Sequence, residues 1–323
     1  MPGSTLHKTG SAIPQKGSIA DVAKVSIREF LHRMNVALPR FSRDAELEAR
    51  VKAITRTWPF EQRIRRHIVT GLVITEASYP HVSDIEARVA IAIYTALLTA
   101  VDTPELFDAV GAQDFYQRIC DGSLRDDRGM LGEFVRVIMN MGQFYSSFCA
   151  SSIFSSTLRF LNGELIGNPE SKSFVEPNSK AFVDFSRGMN GDAEAYAAFI
   201  WSKGDLPGEN TYIQVFPDAC LYINHANDIL SFYKEEQDGE VASYIHARAR
   251  ITGRSTIATL REVIDEVVAA SERIRRTLGE GPAREAWDSF ERGYIRFHVG
   301  DPRYRLQDII GAHWEYMIDA TTF

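Results

Sequence analysis

Apolar residues recur every three or four positions through most of the chain, which is the spacing of one face of an α-helix. The first such segment begins at Asp21, and Pro39 closes it. Alternating runs of strand length bounded by turns are almost absent. The pattern therefore predicts an all-α fold, with further helices over residues 44–57, 60–78, 84–101, 104–120, 129–162, 180–187, 192–202, 210–236, 239–250, 255–278, 282–299 and 303–319.

These helices are predicted to form one domain. A loop rich in Gly, Pro, Ser and Asn at 163–179 interrupts the pattern, but no linker separates two apolar cores and no repeat of fixed period occurs. Residues 1–20 are predicted to be a flexible tail, because Gly, Ser, Thr, Pro and Lys dominate there and no apolar segment of a secretory signal is present. Residues 21–323 are predicted to be a single helical bundle.

Composition narrows the class of function. The 36 Lys and Arg against 43 Asp and Glu give a net charge of −7, which disfavours nucleic acid and anionic membrane as partners. The most apolar run, 89–101, is shorter than the roughly 20 residues of a membrane-spanning helix. The three cysteines are an odd number and widely spaced, which argues against a disulfide framework or a zinc site. A cytoplasmic protein is expected.

The segment 227–236 combines three oxygen-bearing side chains on one predicted helix. Asn227, Ser231 and Glu235 stand at positions i, i+4 and i+8, so they drift only about 80° around the helix axis while rising about 12 Å. An amide oxygen, a hydroxyl and a carboxylate are hard ligands that suit Mg²⁺, which takes few protein ligands beside phosphate oxygens and water. The alternative is an ordinary solvated face of an amphipathic helix.

This segment resembles the metal motif of class I terpene cyclases, and its letters NDILSFYKE are similar to the trichodiene synthase group in particular. The resemblance implies a single-domain class I terpene synthase bundle that ionises a prenyl diphosphate with Mg²⁺. It implies that Asn227, Ser231 and Glu235 hold one magnesium ion, and that Lys234 contacts the diphosphate.

A second segment, 293–306, contains an Arg-Tyr pair. A guanidinium fork and a phenol can share one phosphate group, although the dipeptide alone carries no information. In this context Arg303 and Tyr304 resemble the family's diphosphate-binding pair. Phe297 takes the place of a pocket aromatic, whose π-face can stabilise a cation. The neighbouring His298 is interpreted as a core histidine, with a general base as the alternative.

A third segment, 187–191, places two glycines within a helical stretch. Each glycine costs about 1 kcal/mol relative to alanine in a helix, so a break with exposed carbonyls is expected. The segment is similar to the family's diphosphate sensor and helix break. The resemblance implies that Arg187 senses diphosphate, and that Asn190 and Gly191 direct a carbonyl at the nascent cation. A simple kink is the alternative.

The chain departs from the family at its second, aspartate-rich metal motif. Aligned from Tyr94, which is expected to line the pocket, the first aspartate of the family becomes Val101. Asp102 retains the second acid, and Glu105 stands where the last acid would be. Three explanations stay open: Asp102 takes over the metal, only the Asn227 site binds metal well, or the chain no longer performs ordinary cyclisation.

The resemblance implies a sesquiterpene cyclase, since farnesyl diphosphate is the usual substrate of the family. An alternative keeps the ionisation and lets an external nucleophile, water or an amine, capture the cation. A third possibility is a catalytically silent relative that only binds prenyl ligands, although seven retained polar groups weigh against it. A homodimer is expected by analogy alone.

Overall fold

The computed structural model describes residues 16–35, 42–166, 179–206 and 208–310. These residues form α-helices and short 3₁₀ turns and contain no strand, so the all-α prediction is confirmed. The helices are α1 (Lys16–Arg33), α2 (Ala45–Thr55), α3 (Glu61–Ser78), α4 (Ile85–Val101), α5 (Pro104–Val110), α6 (Phe115–Cys120), α7 (Met130–Asn140), α8 (Ser147–Ile166), α9 (Lys180–Asn190), α10 (Ala193–Ala198), α11 (Phe216–Asp238), α12 (Tyr244–Thr252), α13 (Thr256–Leu278), α14 (Pro282–Gly300) and α15 (Gln307–Ile310).

One cluster of buried apolar side chains runs from Ala23 in α1 to Ile309 in α15. The single domain over residues 21–323 stays a prediction. Helix α1 begins at Lys16, inside the segment predicted to be tail, and residues 1–15 lie outside the described part of the chain. None of the described helices combines the length and the apolarity that crossing a membrane requires.

Two glycines allow the central helices to touch at their backbones. A Cβ on Gly71 of α3 would lie 2.2 Å from the carbonyl oxygen of Ala92 in α4. A Cβ on Gly293 of α14 would lie 1.9 Å from the carbonyl oxygen of Ala77 in α3. Only glycine fits such contacts, because a carbonyl in a packed helix cannot move aside. Helix α3 is thereby held tightly between α4 and α14, and both neighbours contribute to the candidate site.

Two helices predicted as continuous are divided. The segment 104–120 splits at Gly111, whose left-handed backbone (φ 67°) ends α5. The segment 129–162 splits at 141–146, where Lys203 donates from its backbone N–H to the Phe144 carbonyl (3.0 Å) and from Nζ to the Gly142 carbonyl (2.8 Å). These long-range hydrogen bonds satisfy the carbonyls at the break. The sequence around the break does not predict them, because Lys203 lies about 60 residues away along the chain.

Several other boundaries also differ from the prediction. Helix α11 begins at Phe216, six residues after the predicted start, with a proline in its first turn. Helix α8 extends to Ile166, and the rest of the predicted loop, up to residue 178, lies outside the described residues. Residues Pro302–Tyr304 form a 3₁₀ turn before α15, and the remainder of the predicted helix 303–319 beyond residue 310 also lies outside them.

Candidate active site

A cavity of about 190 Å³ lies between helices α3, α4, α8, α9, α10, α11 and α14. Its apolar and aromatic lining includes Ile74, Leu98, Phe160, Ile223 and Tyr294. Several residues predicted from the sequence also line it, namely Asp102, Arg187, Asn190, Gly191, Asn227, Phe297, Arg303 and Tyr304. The cavity therefore joins an aromatic interior to groups that can bind an anion, as a prenyl diphosphate pocket requires.

The three predicted magnesium ligands lie on α11, but only one of them lines the cavity. Asn227 lines the cavity, whereas Ser231 and Glu235 lie buried one and two turns further along the helix and do not line it. Ser231 Oγ donates to Glu235 Oε1 at 2.5 Å. Burial raises the pKa of the Glu235 carboxyl, and among the described residues its Oε2 is buried without a hydrogen-bond partner. An orphaned buried carboxylate oxygen beside a hydroxyl fits a hard cation such as Mg²⁺.

The end of α4 places Asp102, and not Val101, at the cavity. Val101 is the last residue of α4 and is completely buried, whereas Asp102 caps the helix, is exposed and lines the cavity. Glu105 is exposed on α5 and does not line the cavity. This placement favours the first of the three explanations, in which Asp102 replaces the aspartate of the family. Metal binding by Asp102 stays a prediction.

Arg187 joins α9 to α11 at the cavity. Its Nε donates to Asp228 Oδ1 at 2.7 Å, and its Nη2 donates to the Asn224 carbonyl at 2.6 Å. Asp228 also contacts His225 Nδ1 through its other oxygen at 2.9 Å. Asp228 is the second residue of the metal motif, and the sequence alone indicates no role for it. It holds the guanidinium of Arg187 beside Asn227.

The predicted helix break is present after Arg187. Helix α9 ends at Asn190, α10 begins at Ala193, and Asp192 between them has a left-handed backbone (φ 45°). A Cβ on Gly191 would lie 1.7 Å from Asn224 Oδ1, so α11 packs directly against the break. Asn190 and Gly191 both line the cavity, and their role toward a cation stays a prediction.

Tyr94 does not line the cavity and instead supports this break. Its side chain is completely buried, and its hydroxyl donates to Asp192 Oδ2 and contacts Thr157 Oγ1, both at 2.6 Å. Ser156 Oγ donates to Asp192 Oδ1 at 2.5 Å. The assignment of Tyr94 as a pocket residue is therefore corrected. Sequence reasoning also missed Asp192, because residues 94, 156, 157 and 192 meet only in the fold.

Asp192 should make stability fall as the pH rises. Burial raises the pKa of its carboxyl from 3.8 to about 7. The folded state then keeps a proton that the unfolded state releases, so this stabilising contribution is complete below about pH 4 and is lost towards pH 7. Asp192→Asn cannot ionise, tolerates the left-handed backbone and can donate to Tyr94. In denaturant titrations, the free energy of unfolding of the variant minus that of the wild type should increase by about 2 to 4 kcal/mol from pH 5 to pH 8.

The comparison of the two proteins isolates Asp192. Burial also raises the pKa of Glu76 to about 7 and of Glu291 to about 6, but both carboxyls are present in the wild type and in the variant. Their contributions cancel in the difference. An equal difference in the free energy of unfolding at pH 5 and pH 8 would show that Asp192 titrates normally.

The Arg-Tyr pair closes one side of the cavity. Asp301 Oδ1 accepts from the backbone N–H of Arg303 at 3.0 Å and so caps the turn. The Arg303 guanidinium lies 4.6 Å from the centre of the Tyr304 ring and donates to its hydroxyl. Lys234 is half-buried on α11 and does not line the cavity. Its contact with diphosphate stays a prediction.

Comparison with known proteins agrees with this arrangement. Residues 47–317 match the family model described as trichodiene synthase (TRI5). The chain belongs to the trichodiene synthase family. Monoterpene synthase 25 from Postia placenta is 45% identical over 96% of this chain and 92% of its own length. Alpha-cuprenene synthase COP6 from Coprinopsis cinerea is 30% identical over 90% of each chain.

A solved structure supports the fold of this trichodiene synthase family member. The crystal structure of linalool/nerolidol synthase from Streptomyces clavuligerus superposes with a TM-score of 0.56 over 81% of this chain and 99% of its own, at 15% identity. The predicted class is confirmed: the chain is a class I terpene synthase. Enzymes of this family act on prenyl diphosphates with a divalent metal.

Proposed function

We propose that this chain ionises and cyclises farnesyl diphosphate with Mg²⁺. The observation that supports the proposal is the pairing of Arg187, Asn227, Arg303 and Tyr304 with an aromatic cavity. Diphosphate departs as an anion, and the guanidinium groups of Arg187 and Arg303, which line the cavity, would stabilise the charge that develops on it. The magnesium ion, when bound, supplies further positive charge there. Asn227, Ser231 and Glu235 would hold it, with Asp102 as the candidate ligand on α4.

The interior of the cavity suits the cation that remains. The rings of Phe160, Tyr294 and Phe297 offer negative electrostatic potential without a nucleophile. A backbone carbonyl at the break near Gly191 would add to it. Aromatic walls also exclude water, which would otherwise capture the cation early. Proton loss after cyclisation is therefore the expected ending, and capture by water or an amine is the alternative.

Geranyl diphosphate is a second candidate substrate. The relative from Postia placenta with 45% identity is named a monoterpene synthase, and such an enzyme acts on a ten-carbon chain. In addition, the rings of Phe160, Tyr196 and Phe297 line a cavity of about 190 Å³. A small interior favours the shorter chain.

Purified protein incubated with Mg²⁺ and C10, C15 or C20 diphosphates tests the proposal. Released diphosphate measures ionisation, and gas chromatography of the extract identifies the hydrocarbons or alcohols. A cyclic C15 product supports the proposal, whereas turnover of geranyl diphosphate alone supports the second candidate. Phe160→Ala should then increase turnover of the longer substrate relative to the shorter one.

The same incubation separates the alternatives. Products that contain oxygen or an added amine indicate capture of the cation by an external nucleophile. No diphosphate release from any substrate, with or without an amine, would leave only the silent prenyl-binding relative. The cytoplasmic location and the homodimer remain predictions, and size-exclusion chromatography with light scattering decides the second.

A further inference from the structure

The hydrogen-bond partners of His298 on α14 determine which of its two ring nitrogens carries the proton. The imidazole is almost completely buried, and its Nδ1 lies 2.7 Å from the carbonyl oxygen of Tyr294, one turn earlier. A carbonyl oxygen only accepts hydrogen bonds, so Nδ1 must carry the proton. The other nitrogen, Nε2, lies 3.1 Å from Asn227 Nδ2. Because the amide nitrogen only donates, Nε2 accepts.

The opposite side of the Asn227 amide meets a donor. Arg187 Nη2 lies 3.5 Å from Asn227 Oδ1, and a guanidinium has no acceptor. An amide turned by 180° would place its NH₂ against the N–H groups of Arg187 and its oxygen against the lone pair of Nε2. Both contacts would then be unfavourable. His298 and Arg187 therefore both favour this orientation of the amide, and Tyr304 is a third group that hydrogen-bonds to the Asn227 side chain.

Aromatic rings surround the imidazole and hold its plane. The ring centres of Tyr294, Phe297 and Tyr304 lie 4.6, 5.1 and 4.5 Å from that of His298. This packing explains the burial of His298 without any role in chemistry, which is the interpretation as a core histidine. The contact with Asn227 is additional, because packing alone does not require an acceptor at Nε2.

We propose that His298 is a positioning residue that directs Asn227 Oδ1 toward Arg187, a residue of the proposed diphosphate-binding set. An amide binds a metal only through its oxygen, so the orientation decides whether Asn227 can act as a ligand. Groups that orient a metal ligand in this way typically affect metal affinity by about 10- to 100-fold. The inference rests on the proposed role of Asn227 in magnesium binding.

Two substitutions separate positioning from packing. His298→Gln supplies an acceptor oxygen but removes the aromatic ring, whereas His298→Phe keeps the ring and removes the acceptor. If His298 orients Asn227, the phenylalanine variant should raise the Mg²⁺ concentration for half-maximal binding of inorganic diphosphate by about 10-fold or more. The glutamine variant should stay within about 3-fold of the wild type.

Isothermal titration calorimetry with Mg²⁺ and inorganic diphosphate measures this affinity without turnover, and the Mg²⁺ dependence of turnover gives a second value. A purely structural role predicts the reverse order, with phenylalanine the milder change. Equal affinities in the wild type and the phenylalanine variant, or a larger loss in the glutamine variant, would overturn the inference.

The wild-type protein provides a measurement that needs no folded variant. In ¹⁵N-histidine NMR spectra, His298 should show a protonated Nδ1 and an unprotonated Nε2, and a protonated Nε2 would contradict the inference. The two proposals can fail separately. A wild type that releases no diphosphate from any prenyl substrate removes the proposed function, while the ring proton and the binding of Mg²⁺ with inorganic diphosphate still report on His298.

Discussion

Glu235→Gln is expected to lower kcat/KM for the prenyl diphosphate by about 100-fold or more. Glu235 supplies the only carboxylate among the three predicted ligands on α11, and its Oε2 is buried without a hydrogen-bond partner among the described residues. The glutamine keeps the shape of the side chain, but it removes the negative charge and can place an NH₂ group where an oxygen must bind Mg²⁺. The Mg²⁺ concentration for half-maximal rate should therefore rise as well.

Glu236→Gln is the matched control for this experiment. Glu236 is the next residue of α11, and its Oε1 contacts His246 Nε2 at 2.6 Å instead of Ser231. The control changes the same charge on the same helix and should keep kcat/KM within about 3-fold of the wild type. Comparable losses in both variants would mean that net charge on α11 matters and that Glu235 holds no metal. Thermal denaturation of both proteins checks that folding is intact.

The sequence predicts best those features that lie within one helix. Helix α11 carries Asn227, Ser231 and Glu235 at fixed spacing; the structure confirms the helix, and it shows a local contact between Ser231 and Glu235. The break after Arg187 was predictable for the same reason, because two nearby glycines weaken a helix whatever surrounds it. The C-terminal ends of α11 and α12, each followed by a left-handed glycine, lie within two residues of the prediction, whereas the helix ends at Gly111 and Phe216 do not.

Features that depend on several helices could not be predicted. Tyr94 was expected at the cavity because it lies on the same helix as Asp102, yet its hydroxyl is hydrogen-bonded to Asp192 and Thr157. Helix α4 is apolar on nearly all faces, because almost all its residues are buried. The sequence pattern therefore does not indicate which face meets the cavity. The role of Asp228 depends equally on a partner in another helix.

The same limit applies to the second metal motif. A sequence alignment places Val101 where the family has its first aspartate ligand. It suggests that Val101→Asp would restore this ligand. The end of α4 in the structure gives another result, because Val101 is 0% exposed and the cavity is lined by Asp102. The direction of a side chain at a helix end depends on how the chain leaves the helix, and that is decided by packing.

Val101→Asp is therefore expected to destabilise the protein by about 3 kcal/mol or more and to give no gain in rate. A carboxylate in place of a completely buried valine loses its hydration and replaces apolar contacts in the core. Asp102→Asn, by contrast, should leave stability nearly unchanged, because residue 102 is exposed, and should lower kcat/KM by about 10-fold or more if it binds Mg²⁺. Chemical denaturation and steady-state kinetics with varied Mg²⁺ measure the two effects.

Thr103→Asp is the control for added charge at this rim. Thr103 precedes the first turn of α5, a position where aspartate is favoured, so the variant adds the same carboxyl group without burying it in the core. It should be as stable as the wild type. If Val101→Asp were instead stable and faster at low Mg²⁺ concentration, residue 101 would face the metal. Asp102 would then not replace the first aspartate of the family. A changed direction of the chain at the end of α4 would then not explain the loss of that aspartate.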